Sequence, residues 1–182
     1  PKNTLSLGYG MHHQNQPLPV FLFREQRPDG SSVETNSDLG FTRSQHLVLG
    51  YDFKPGANWR VKAEAYYQWL NDVPVEATPT SFSMLNTGAD FIFPEKGSLL
   101  NTGIGSNYGL ELTLEKFFSQ GWYSLVTLSL FDARYKGSDG VQRNTAFNGR
   151  YVANALAGRE FALGKTGRRF ITLDTKLTAA GG

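Results

Sequence analysis

Residues 107–136, NYGLELTLEKFFSQGWYSLVTLSLFDARYK, limit the possible folds more than any other stretch of the chain. Tyr108, Leu110, Leu112 and Leu114 alternate with Gly109, Glu111, Thr113 and Glu115, and further on Val126, Leu128 and Leu130 alternate with Thr127 and Ser129. Period two places one set on each face of an extended strand, whereas on a helix the leucines would spread around the axis. Ser119, Gln120 and Gly121 lie between the two runs and supply a tight turn. The stretch therefore reads as a hairpin with one apolar and one polar face. Each arm spans about a dozen residues, or roughly 40 Å. Strands of about five or six residues are usual in soluble sheets.

The same pattern recurs along the chain. Strands are expected at about 4–12, 45–54, 59–70, 107–117, 122–135, 149–163 and 169–178, about seven in all. The long connections fall at 13–43, 71–106 and 137–148, and the tight turns near 55–58, 118–121 and 164–167. In an up-and-down antiparallel sheet alternate connections share an end, so one end carries short turns and the other long loops. Phe53, Trp59, Phe117, Phe118, Trp122 and Tyr123 flank short turns, while Tyr66, Tyr67 and Trp69 sit toward the long-loop end. Sorted loops and aromatic strand ends fit a segment of a transmembrane β-barrel. The expected fold class is thus all-β, with antiparallel up-and-down strands forming part of such a barrel.

Composition agrees with an all-β chain: 13% of residues are aromatic and 20 are glycine. The 18 basic and 16 acidic residues nearly balance, which gives no general pull toward nucleic acid. No cysteine is present, so disulfides, thiolate metal sites and a cysteine nucleophile are excluded. A mean hydropathy of -0.35 does not argue against a barrel, whose alternating strands give a weak signal. Pro1 and the closing Gly-Gly read as cut ends.

Few residues suggest chemistry. His12 and His13 point to opposite faces of a strand and so do not share an ion, and His46 is distant in sequence. Glu111 and Glu115 share a face but stand about 13 Å apart, too far for a glycosidase pair. The glycines at 103 and 105 precede no helix, so a phosphate-binding loop does not fit. There is no G-x-S-x-G elbow. No enzyme activity, cofactor or metal is expected. The ligand-contact candidates are loop residues: Phe21, Phe23 and Arg24 in the first long connection, Phe91 and Phe93 in the second, and Asp139 and Asn144 in the third.

The runs LVLGYDFKPGANWRVKAEAYYQWLNDVPVE (47–76) and NTGIGSNYGLELTLEKFFSQGWYSLVTLSLFDARYKGSDGVQRNTAFNGRYVANALAGREFALGK (101–165), with the tail KLTAAGG (176–182), resemble the C-terminal barrel region of TonB-dependent outer-membrane receptors of the Bacteroidetes type. The resemblance implies a cell outer-membrane location and part of a receptor for energy-coupled uptake of a glycan, peptide or metal chelate. It makes the seven candidates extracellular-loop contacts. It further implies outer-membrane lipid, an N-terminal plug domain, an inner-membrane energy-transducing protein, a surface lipoprotein and a small nutrient ligand as partners. The alternative is a soluble or surface-exposed all-β binding module without a transport role.

Overall fold

In a computed structural model that describes residues 1–88, 92–164 and 169–182, the chain is almost entirely extended. Its elements in order are β1 (Asn3–Gln14), α1 (Leu18–Phe21), β2 (Arg24–Gln26), β3 (Ser32–Glu34), β4 (Thr42–Gly56), β5 (Trp59–Glu76), a 3-10 turn (Met84–Asn86), β6 (Leu99–Ser119), β7 (Trp122–Lys136), β8 (Gln142–Asn144), β9 (Tyr151–Leu163) and β10 (Arg169–Ala180). The main sheet runs β1-β4-β5-β6-β7-β9-β10, with β8 added to one end of β7. Every pair is antiparallel. β2 and β3 form a separate small hairpin.

The central pairing follows from the alternation. Val61, Leu114 and Val126 share one rung, Ala63, Leu112 and Leu128 the next, and Ala65, Leu110 and Leu130 a third. The intervening rungs put Lys62, Thr113 and Thr127, then Glu64, Glu111 and Ser129, on the other face. On that face Arg60 pairs with Asp52 at 2.5 Å, and Lys62 with Glu64 at 2.5 Å. The β6–β7 turn has positive φ at both Gln120 and Gly121, as a two-residue turn matched to strand twist requires. Lys116 reinforces it: its Nζ donates to Ser119 O at 3.0 Å, Ser119 Oγ at 2.9 Å and Trp122 O at 3.0 Å, and lies 4.0 Å from the Trp122 ring centre.

The β5–β6 pair extends past the expected boundaries at 70 and 107. A bulge at Asp72 (φ 57°) lets Val73, Pro74 and Val75 resume pairing with β6 near Gly103, Asn101 and Leu100. Pro74 signals a loop in the sequence, but a proline fits a strand at a bulge, where its missing N–H removes no ladder bond. The packed core lies at this end, where Val20, Val73, Val75, Leu99 and Tyr135 are buried. Asn36, itself buried, ties the two long connections together. Its Nδ2 donates to Val20 O (2.9 Å) and Lys96 O (2.7 Å), and its Oδ1 accepts from Leu99 N (3.1 Å).

The architecture corrects the barrel expectation. The sheet is all-β but open: β1 pairs only with β4 and β10 only with β9, so neither edge closes on the other. Hydrocarbon tolerates strands only when every backbone N–H and C=O is satisfied, which requires closure. The open ladder of the described residues does not meet that condition, and it gives the expected transmembrane strand segment no support. The placement in a cell outer membrane, facing outer-membrane lipid, falls for the same reason. No helix among the described residues is long and apolar enough to cross a membrane. What remains is an open sheet whose leucine face, including Leu7 and Leu173, is exposed.

Candidate functional site

Side-chain parity assembles a site at the long-connection end of that face. On β5, β6 and β7 the apolar parity continues past the leucines into different chemistry. Tyr67, Tyr108 and Asp132 share one rung, and Trp69, Ser106 and Arg134 the next. The Tyr67 and Tyr108 rings are nearly parallel, 5.7 Å apart, and the Trp69 ring lies 4.5 Å from Tyr67. All three rings remain substantially exposed. On the outer side of the same rungs, Tyr9 Oη donates to Gln45 Oε1 at 3.1 Å.

The polar half is built around Asp132. Its Oδ2 accepts from Tyr108 Oη at 3.0 Å and from Arg134 Nη2 at 2.7 Å. Its Oδ1 accepts from Arg134 Nε at 3.1 Å and from Asn148 Nδ2 at 2.9 Å. The hydrogen bonding of Arg134 holds this carboxyl below the usual aspartate value; burial, the next largest effect, opposes it, and Tyr108 and Asn148 add smaller lowering effects. The same contact raises Arg134, and the hydrogen bond to Asp132 raises the Tyr108 phenol. The carboxylate is thus ionised with its acceptor sites filled. It orients Tyr108, Arg134 and Asn148.

Two observations show unmet capacity here. Asn148 Oδ1 is shielded from solvent and has no hydrogen-bond partner. Buried acceptors of this kind are uncommon and call for an explanation. Arg150 is exposed and holds φ 63°, a left-handed conformation that a non-glycine residue rarely adopts. Its carbonyl accepts from Phe131 N at 2.8 Å, which fixes it at the start of β9. Asn148, Arg150, Asn144, Tyr108, Asp132 and Arg134 all border one hollow of about 630 Å³. A second hollow of about 300 Å³ reaches Tyr67 and Trp69, and Arg134 lines both.

The loop candidates fare unequally. Asn144 lies on β8 opposite Arg134 and borders the larger hollow. Asp139 is held by Arg143 at 2.9 and 2.7 Å, which lowers its carboxyl, and it caps Val141 N at 3.0 Å. Arg24 is bound to Glu34 at 2.8 Å across the β2–β3 hairpin. Phe21 and Phe23 are half-buried beside α1, and Phe93 is exposed. Phe91 lies outside the described residues. Tyr67, Trp69, Tyr108, Asp132 and Arg134 are strand residues and so lie outside the loop candidates. The available signal was polar residues keeping the parity of Leu130. His46 is also not distant from His12: their rings stack 4.9 Å apart on the polar face.

No family model, curated protein or solved structure matches the chain. With the sheet open, this removes the support for the TonB-dependent receptor resemblance. The receptor function in energy-coupled uptake is corrected with it. So are the partners that followed from it: lipid, plug domain, inner-membrane energy transducer, surface lipoprotein and transported nutrient.

Proposed function

We propose that the chain is an all-β binding module whose ligand is a saccharide, held on the Tyr67–Trp69–Tyr108 surface and the hollow beside Asp132. The observation that carries the reading is the placing of three exposed rings beside the unused guanidinium N–H groups of Arg134 and Arg150, across two hollows that Arg134 joins. A sugar ring presents apolar C–H faces and hydroxyl edges. The faces suit Tyr67, Trp69 and Tyr108. Sugar hydroxyls accept from Arg134 and Arg150. Asp132 neutralises Arg134, while Arg150 has no ion-pair partner among the described residues, so a sugar acid is favoured over a neutral sugar.

The test is a saccharide array, with neutral and acidic members, probed with the wild-type chain and with Tyr67→Ala and Trp69→Ala. Specific retention that both variants lose is expected. Absence of retention, or equal retention by all three proteins, would contradict the reading.

A further inference from the structure

Strand β10 pairs with β9 along one side and with no strand of the described residues along the other, and each of its 12 residues is exposed. Its free side is a row of backbone N–H and C=O groups, which is a template for another strand. Short length, proline, a bulge or an unmatched lysine normally protects such an edge. β10 has no proline and no break in its register with β9. Its Lys176 is matched by Asp174, two residues back on the same polar face. Lys176 has no ion-pair partner among the described residues, and Asp174 accepts there only from Tyr123 Oη, at 2.7 Å. On the apolar face Leu173 and Leu177 flank Thr175 and are 64% and 68% exposed.

We infer that β10 pairs antiparallel with β10 of a second copy of this chain, about a two-fold axis at Thr175. In that register Asp174 lies opposite Lys176 of the second copy, and Lys176 opposite its Asp174. Leu173 and Leu177 meet in the same reciprocal way on the apolar face, Thr172 meets Thr178, and Thr175 meets its own counterpart. Opposite charges and paired threonines are favoured cross-strand neighbours. Moving the axis by one residue, to Asp174 or to Lys176, sets like charges directly opposite each other, which is unfavourable. Placing the axis between residues turns the leucines against the polar face. One register therefore stands out, and its self-complementarity is what an interface between two identical copies requires. The other edge offers less: β1 holds no Asp, Glu, Lys or Arg to set a register. The antiparallel steps across the sheet make β1 and β10 run the same way. With the leucine faces on one side, β10 against β1 of another copy is thus a parallel pair that leaves further edges open. The two-fold axis crosses the sheet, so both ring-bearing surfaces face the same side. The pairing shares no residue with the saccharide surface and does not depend on it.

The test is sedimentation equilibrium of the full chain over a range of concentrations, where a monomer–dimer equilibrium is expected. Asp174→Lys and Lys176→Asp each turn both attracting pairs into repelling ones and should raise the dimer dissociation constant about tenfold. The double variant restores opposite signs and should return to within about threefold of wild type. Ser6→Lys, on β1, should dimerise as wild type does. Circular dichroism checks that each variant is folded. The chain has no cysteine, so Thr175→Cys gives a second reading. Oxidised glutathione should link that variant to its counterpart across the axis. Leu173→Cys should stay unlinked, because its counterpart lies about 13 Å away along the strands. A wild-type chain that is monomeric at every concentration overturns the inference. So does an unchanged dimer in both single charge variants, or a folded double variant that does not recover. Assembly lost in Ser6→Lys alone, or linkage of Leu173→Cys in place of Thr175→Cys, overturns it as well.

Discussion

Tyr108 donates its phenol proton to Asp132 across the β6–β7 pair at 3.0 Å, joining the aromatic half of the candidate site to its charged half. Removing the hydroxyl separates the two roles of the ring. Tyr108→Phe keeps the stacking surface but releases one donor from the carboxylate, so saccharide affinity should fall only a few-fold. Asp132→Asn leaves Arg134 without its fork partner and should cost about tenfold or more. Calorimetry on the two variants separates stacking from orientation.

The pH dependence follows from the shifted groups. Asp132 is lowered in the folded chain, so its contribution is complete above the ordinary value of 3.8 and is lost as pH falls through the depressed value below it. Tyr108 is raised, so the contribution of its neutral phenol holds below 10.0 and is lost only as pH rises through the value above it. Affinity should be level across the neutral range. A titration with a sharp change near neutrality would show that another group governs binding.

The sheet has a packed end and an open face, and the two should respond differently to truncation. Val73 is fully buried at the packed end, so Val73→Ala should cost about 2 kcal/mol. Leu112 is exposed on the open face, and Leu112→Thr should change stability by less than about 1 kcal/mol. Urea denaturation midpoints at constant slope give the comparison. Equal losses would mean that the leucine face is covered.

Asn36 makes three hydrogen bonds from a buried position, two donated and one accepted. Asn36→Ala leaves Val20 O, Lys96 O and Leu99 N without those partners and should cost about 2 kcal/mol. Faster hydrogen exchange at Leu99 N should accompany the loss.

The alternation in 107–136 made the all-β character legible, because parity is written residue by residue. The continuation of β5 through Pro74 was not legible, since it depends on a bulge at Asp72 that frees the proline from the ladder. Nor was the open edge: closure is a relation between the first and last strands, and no local pattern encodes it. Distance in sequence hid the His12–His46 pair for the same reason, as the β1–β4 register alone brings them together. Of the site residues, Asn144 stood out as a loop polar group. Asp132 and Arg134 were passed over because they lie inside a strand, although their parity with Leu130 put them on the ring-bearing face.

Two ends of the molecule carry tryptophan, which allows a direct test of where a saccharide docks. Trp69 lies at the candidate site, while Trp59 and Trp122 pack against each other at the short-turn end, with ring centres 6.1 Å apart. The chain has three tryptophans, so its indole N–H region in a proton–nitrogen spectrum holds three signals to follow during titration with an array-selected saccharide. A saturable shift of the Trp69 signal, with Trp59 and Trp122 unmoved, is the expected result. Shifts confined to Trp59 and Trp122, or no saturable shift at all, would contradict saccharide binding at the Tyr67–Trp69–Tyr108 surface.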